Sequence, residues 1–127
     1  MRRSKREKIG GQFVPISYPM IDSPAWQKLS ANAIKVFIQL KRKRNGNNDR
    51  NLSLTYNEMH GQLSSATLRK CLVELVEKGF IDMVRQGGMM KQCNIFGLSD
   101  RWKRYGTDDF ELITLKKWNY GGFKKQE

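Results

Sequence analysis

The chain has few of the side chains from which catalytic and metal sites are built. Its 127 residues include two cysteines, Cys71 and Cys93, and one histidine, His60. Neither cysteine has a second Cys or His at metal-ligand spacing, and no Ser/His/Asp constellation can be proposed. We expect buried thiols in a reducing cytosol, no metal and no cofactor. The sequence therefore predicts a protein that is not an enzyme.

Long apolar runs are also absent. Hydrophobic residues make up 39% of the chain, and no stretch approaches the roughly 18 apolar residues of a membrane-spanning helix. The basic start resembles the first part of a signal peptide, but prolines and polar residues interrupt the segment that should follow. We expect a cytoplasmic, nucleoid-associated protein with no membrane partner and no small-molecule ligand.

Acidic side chains are outnumbered by basic ones. Twelve Asp and Glu stand against 24 Lys and Arg, which gives a net charge of +12, and such an excess favours a polyanionic partner. Residues 1–8 carry five basic side chains against one acid, as do residues 41–50, whereas residues 51–98 are nearly neutral. The positive charge is thus concentrated in two short segments.

The length is typical of one domain with tails. We expect a mobile basic arm at 1–12, a folded domain at 13–106 and a C-terminal extension at 107–127. The extension mixes strand-like and helix-like signals, and no structure is predicted for it beyond a short helical segment, Arg101 to Tyr105, with Trp102 and Tyr105 folded back onto the domain.

The first half of the domain shows two helix starts. An extended, proline-marked segment from residue 13 leads to Ser23, which can cap a short helix with Pro24 at its first position. Ser30 is a second cap, and the first long helix follows it. Its inward face is predicted to consist of Ala33, Val36, Phe37 and Leu40. A short strand is predicted at Asn51 to Leu54.

The second half begins with a T-x-x-E capping box. Thr55 and Glu58 predict a brief second helix that ends before Gly61. Ser64 is the expected cap of the third helix, and Gly79 is its expected left-handed end. The inward face of this third helix is predicted to consist of Leu68, Cys71, Leu72, Leu75 and Val76.

A β-hairpin is predicted after the third helix. Its strands are expected at Phe80 to Val84 and Gln92 to Leu98, with a turn around Gly87 and Gly88. Helix, strand, helix, turn, helix and hairpin is the order of a winged helix. The predicted fold is therefore α+β, a winged helix-turn-helix with three main helices, a β-hairpin wing, a basic N-terminal arm and a C-terminal extension.

Several segments resemble a family of small winged helix-turn-helix proteins of bacteria, phages and other mobile elements. They are "SPAWQKLSANAIKVFIQLKRKRNG", "LSSATLRKCLVELVEKGFI", the Gly-Gly wing and "FGLSDRWKRYGT". The similarity covers roughly residues 13–107. It implies a winged-helix fold and DNA binding, in transcription control or in replication of a mobile element, as for phage or plasmid proteins.

The outward face of the third helix is the candidate base-reading site. Ser65, Arg69 and Lys70 are expected to face outward near its first two turns, where such a helix meets base edges. The planar fork of Arg69 matches the two acceptors of a guanine edge, whereas Lys70 suits a phosphate or a single acceptor. The alternative is a solvated face in which Lys70 pairs with Glu74 at i,i+4 spacing.

Further side chains are candidates for contact with the DNA backbone. They are Arg2, Arg3, Lys5, Arg6, Lys41, Arg42, Lys43, Arg44, Ser64, Thr67, Arg85 and Lys91. Alternatives stay open: the arm can serve solubility, residues 41–44 can simply complement the end of the first long helix, and Ser64 can be occupied as a cap. In the wing, Met89 and Met90 can form an apolar wedge or pack on the sheet.

These observations predict a DNA-binding protein, either a transcriptional regulator or a mobile-element replication factor. Its partner would be double-stranded DNA. A homodimer or a protein partner is also considered, because one arginine cannot alone give high specificity. The alternative function is a winged-helix protein–protein interaction module without sequence-specific readout, which the nearly neutral 51–98 region and the aromatic tail favour.

Overall fold

A computed structural model describes residues 11–87 and 94–113, together with the backbone of 118–119 and 122–123. Within these residues the fold is α+β, with four helices and an antiparallel two-stranded hairpin. Two 3₁₀ turns and a second, very short strand pair complete it. The elements are α1 (Tyr18–Ile21), α2 (Pro24–Gln27), α3 (Ala31–Lys41), a first 3₁₀ turn (Asn57–Met59), α4 (Ser65–Lys78), β1 (Ile81–Arg85), β2 (Ile95–Leu98), a second 3₁₀ turn (Arg101–Arg104), β3 (Trp118–Asn119) and β4 (Gly122–Phe123).

A serine caps every one of the four helices. The hydroxyl of Ser23 accepts from the backbone N–H of Trp26 at 3.2 Å, and Ser30 and Ser64 make the equivalent bond, so the three predicted caps are confirmed. The prediction of an extended segment before Ser23 is wrong at Tyr18–Ile21, which form the helix α1. There Ser17 accepts from the N–H of Met20, and a proline lies in the first turn, where its missing N–H costs nothing.

The core forms where α3, α4 and the hairpin meet. All the residues predicted for the inward faces of the two long helices are buried. An aromatic cluster fills the space between the N-terminal elements and the hairpin, because Trp26 packs edge-on against Phe37 and Phe80, and Phe80 stacks on Trp102 at 6.0 Å between ring centres. Such contacts add to the large area that aromatic side chains bury.

The predicted hairpin forms, with its first strand shifted by one residue and the described part of its second strand starting at Ile95. β1 pairs with β2 from Ile81 opposite Leu98, and the register shifts between Met83 and Arg85. Phe80 lies before the first strand, and residues 92–93 of the expected second strand lie outside the described residues.

The strand predicted at Asn51 to Leu54 is reduced to one bridge. The N–H and C=O of Leu52 bond to Phe96 at 2.9 and 2.7 Å. The next carbonyl, that of Ser53, instead accepts from Lys43 Nζ at 2.6 Å. Because Leu52 exchanges both of its backbone bonds with Phe96, the carbonyl of Ser53 points away from the partner strand, and Lys43 binds it there.

The predicted second helix is only a 3₁₀ turn, although its capping box forms as expected. The N–H of Thr55 donates to Glu58 at 2.8 Å, and the N–H of Glu58 donates back to the Thr55 hydroxyl at 3.3 Å. The turn ends at His60, whose φ of 55° is left-handed. A second left-handed residue, Gly61, follows at once, so the helix cannot continue.

The segment after the hairpin folds back, as predicted. The second 3₁₀ turn brings Trp102 into the core and its N–H to the carbonyl of Gly79 at 3.0 Å. Gly79 ends α4 with a φ of +93°, which confirms its predicted left-handed role.

Sequence reasoning missed one buried charge, Arg101. Its side chain is only 10% exposed, and it donates to Asp82 at 3.0 Å and to the carbonyls of Val76, Ile81 and Glu111 at 2.7–3.1 Å. One guanidinium thus joins the end of α4, the first strand and the C-terminal segment.

Among the described residues, no helix is long and apolar enough to cross a membrane.

Candidate nucleic-acid interface

The first half of α4 presents basic and hydroxyl side chains without acids. Ser65 and Lys70 are exposed and Arg69 is partly exposed, and Arg69 and Lys70 are the charged residues between 61 and 73. Neither makes an ion pair or a side-chain hydrogen bond with another described residue. Both cations are therefore available to an external anion.

The Lys70–Glu74 pair considered as an alternative is not formed. Both carboxylate oxygens of Glu74 instead bind Ser30, from which they accept the backbone N–H at 2.7 Å and the hydroxyl at 2.9 Å. Glu74 is thereby directed towards the start of α3. This contact removes the nearest acid on α4 from competition for Lys70.

Two hydroxyls proposed for backbone contacts are joined to each other. The Ser64 hydroxyl accepts from the N–H of Thr67 at 3.1 Å and donates its own proton to the Thr67 hydroxyl at 3.0 Å. Ser64 therefore acts as a cap and has no proton left for a phosphate. Thr67 keeps its hydroxyl proton and remains a candidate donor.

The basic segment at the end of α3 is largely engaged inside the protein. Lys41 donates to the carbonyl of Pro15 at 2.6 Å, Lys43 binds Glu58 at 2.6 Å, and Arg44 binds Asp49 at 2.6 Å. A DNA phosphate would have to compete with these contacts. Arg42 is exposed, and it is the one cation of the four whose side chain makes no hydrogen bond or ion pair with another described residue.

Lys41 has a pKa below its usual range. Partial burial lowers it most, the nearby Arg44 lowers it further, and Asp49 acts in the opposite direction. Desolvation and like charge both disfavour an ammonium. The lowered pKa thus reflects partial burial first and the neighbouring Arg44 second.

In the hairpin, one candidate for contact with the DNA backbone lies among the described residues. Arg85 is exposed at the end of β1, and beyond it the N–H of Gly87 donates to the Asn94 side chain at 2.5 Å. The remaining candidates in the arm and at the hairpin tip lie outside the described residues. These are Arg2, Arg3, Lys5, Arg6 and Lys91, and the same holds for Met89, Met90 and Cys93.

Glu58 joins the basic segment to the turn before α4, and its pKa predicts a pH effect. Burial alone would raise this pKa, but hydrogen bonds from Lys43 and Thr55, with the charge of Lys43, hold it below its ordinary value of 4.5. A carboxyl group whose pKa is lowered in the folded state stabilises the fold at pH values above its ordinary pKa. That stabilisation is lost as the pH falls through the folded-state pKa.

We therefore expect Glu58→Gln to lower the free energy of unfolding by about 0.2–1 kcal/mol at pH 7, because glutamine can still accept the N–H of Thr55 but Lys43 loses its charged partner at a side chain that is 40% exposed. Urea unfolding at pH 7 and at pH 3 would measure the difference. It should be smaller at pH 3, because the contribution of the carboxylate is lost as pH falls through its lowered pKa. An equal difference at both pH values would assign the effect to shape rather than charge.

The remaining side chains of interest are those that could act as a nucleophile or as metal ligands. Cys71 is buried, as predicted, and burial followed by the charge of Glu74 raises the pKa of its thiol. Within the described part of the chain, no group of three or more His, Cys, Asp or Glu side chains is placed to hold a metal ion.

Comparison of the chain with models of known protein families, with curated proteins and with solved structures gives no match.

Proposed function

We propose that this protein is a winged-helix DNA-binding protein that docks α4 into the major groove of double-stranded DNA. In this interpretation α3, the first 3₁₀ turn and α4 are the three helices, and β1 with β2 is the wing. The observation that carries the proposal is the acid-free first half of α4, on which Arg69 and Lys70 form no hydrogen bond or ion pair through their side chains with the residues that the structure describes. Glu74, the first acid along the helix, is held by Ser30.

Each side chain has a distinct role in this proposal. Arg69 donates to the two acceptors of a guanine, with Ser65 beside it at the start of the helix. Lys70, Thr67 and the exposed Arg42 bind phosphates, and they fix the position of the helix without carrying sequence information. The basic arm supplies further attraction, because charge neutralisation along the backbone dominates affinity.

The biological role we propose is transcription control or replication of a mobile element. One bidentate arginine discriminates between bases by about 1–3 kcal/mol, which is too little to find one site in a genome. A homodimer on a two-fold symmetric site would double the number of base contacts. DNA selected from a random pool would show this arrangement as two half-sites about one helical turn apart.

Arg69→Ala tests the base contact. We expect it to weaken binding to a selected duplex by about 1–3 kcal/mol, roughly 5- to 150-fold, and binding to random duplex much less. Fluorescence anisotropy on both duplexes at one salt concentration would measure this. Arg104→Ala is the control, because it removes an exposed arginine from the second 3₁₀ turn. Equal losses on both duplexes would show that Arg69 does not read sequence.

A second candidate function is a protein-interaction module. It is favoured by three exposed apolar side chains on α1 and α3, namely Tyr18, Ile21 and Ile38. Scattered exposed apolar residues are common on protein surfaces, so the observation is weaker than the acid-free face of α4. Failure of the protein to bind any duplex at low salt would favour this candidate.

A further inference from the structure

A cavity of about 350 Å³ lies between the N-terminal segment and the end of α3. Residues 12–15 form one side of it, and Lys41, Arg42 and Arg44 form the other. Its volume falls within the range of sites for small organic ligands. An inorganic phosphate would leave much of this space empty, whereas a single nucleotide would fill it better.

The charge around the cavity favours an anion. Three cations line it, and Asp49 binds one of them, Arg44. The carboxyl end of α3 adds the equivalent of about half a negative charge. The balance is still positive by more than one unit.

The three cations keep donors for a phosphate. Lys41 uses one N–H on the carbonyl of Pro15 and Arg44 uses its Nε on Asp49, which leaves two N–H groups on the ammonium and the terminal nitrogens of the guanidinium. The guanidinium of Arg42 makes no hydrogen bond with any residue that the structure describes. Charged donors of this kind form the stronger hydrogen bonds to phosphate oxygens.

An aromatic ring lies at the same cavity. Phe13 lines it and is 63% exposed, so a large apolar side chain stays in water beside three cations. Sites for unpaired nucleotides combine these two features, because the backbone follows positive charge and the bases stack on aromatic rings.

We infer that this cavity binds one unpaired nucleotide, with the phosphate on Lys41, Arg42 and Arg44 and the base or sugar against Phe13. The nucleotide is either a free mononucleotide or an unpaired nucleotide of a DNA strand. The inference rests on the proposed function only for the second source. Duplex docking through α4 and nucleotide binding at the cavity use different side chains, apart from the phosphate role of Arg42.

Titration of the full chain with dAMP and with inorganic phosphate, followed by ¹⁵N NMR, tests the site. We expect dAMP at millimolar concentration to shift the amide signals of residues 12–14 and 41–44. Phe13→Ala should weaken dAMP binding about fivefold or more and leave phosphate binding unchanged, because stacking is lost. Arg42→Ala should weaken both about tenfold. Arg104→Ala, at a residue that does not line the cavity, should change neither.

Absence of any dAMP-dependent shift at the cavity would overturn the inference, whatever the duplex experiment gives. Equal weakening of dAMP and phosphate by Phe13→Ala would also overturn it, because the ring would then act only on the fold. Binding of dAMP without binding of any duplex would support the site and refute the proposed function. A 5′-phosphorylated single strand that competes with dAMP would identify DNA as the source, and absence of competition would identify the free nucleotide.

Discussion

Replacement of Arg101 by methionine is expected to lower the free energy of unfolding by about 3–5 kcal/mol, the usual effect of breaking a buried ion pair. Methionine has a similar length but donates no hydrogen bond. Of its two ion-pair partners among the described residues, the half-buried Asp82 would keep Arg50, whose side chain is 59% exposed. The carbonyls of Val76 and Ile81 would also lose a charged donor, and buried acceptors are costly to leave without one.

Urea unfolding of three variants would separate the contribution of the ion pair with Asp82 from that of the hydrogen bonds to backbone carbonyls. Arg50→Ala removes the exposed partner of Asp82 and should cost less than about 1 kcal/mol, as exposed ion pairs do. Arg101→Lys keeps the charge but cannot reach four acceptors with one ammonium, so an intermediate loss is expected. If Arg101→Met costs no more than Arg50→Ala, the buried guanidinium is not a principal contact of the fold.

Gly79→Ala is expected to destabilise the protein by about 2–5 kcal/mol. The left-handed φ of +93° costs an L-residue about 1–2 kcal/mol. A Cβ atom would also lie 2.6 Å from the backbone nitrogen of Trp102 and 2.8 Å from the carbonyl carbon of Arg101. Backbone atoms cannot rotate away as a flexible side chain can, so overpacking adds about 1–3 kcal/mol.

Gly106→Ala is the matched control for this prediction. Its φ of +87° is nearly the same, but a Cβ there would meet no atom within 4 Å. It should therefore show the backbone cost alone, about 1–2 kcal/mol. Chemical denaturation of both variants measures the two effects side by side. Equal losses would mean that the second 3₁₀ turn moves away from Gly79 at little cost.

The main helices were predictable because their signals are local. Ser23, Ser30 and Ser64 cap helices as predicted, and both long helices bury the faces that their spacing indicated. The left-handed end at Gly79 was equally predictable. Caps and amphipathic spacing act within a few residues, so a single sequence contains them in full.

Long-range contacts explain what the sequence did not predict. The partners of Arg101 lie 10 to 25 positions away, and the bond from Ser30 to Glu74 spans 44 positions. The strand expected at 51–54 is reduced to the bridge between Leu52 and Phe96, and Lys43 binds the carbonyl of Ser53. Local patterns do not specify which of several nearby acceptors a long cation will reach.

At the candidate nucleic-acid interface, the sequence predicted the position of some residues and missed the internal contacts of others. Arg69 and Lys70 were placed on the outward face from helical spacing alone. The engagement of Lys43 by Glu58 was missed, because the charge count of residues 41–50 treated every cation as equally available. Charge totals indicate the class of partner, whereas hydrogen-bond partners decide which cations can meet it.

The bond between Ser30 and Glu74 has a consequence for how related sequences should vary. One serine caps α3 through its oxygen and donates both its N–H and its hydroxyl to a carboxylate on α4. Loss of either partner changes both the start of one helix and the charge exposed on the other. Positions 30 and 74 should therefore covary in an alignment of relatives, with Ser or Thr at the first paired with Glu at the second.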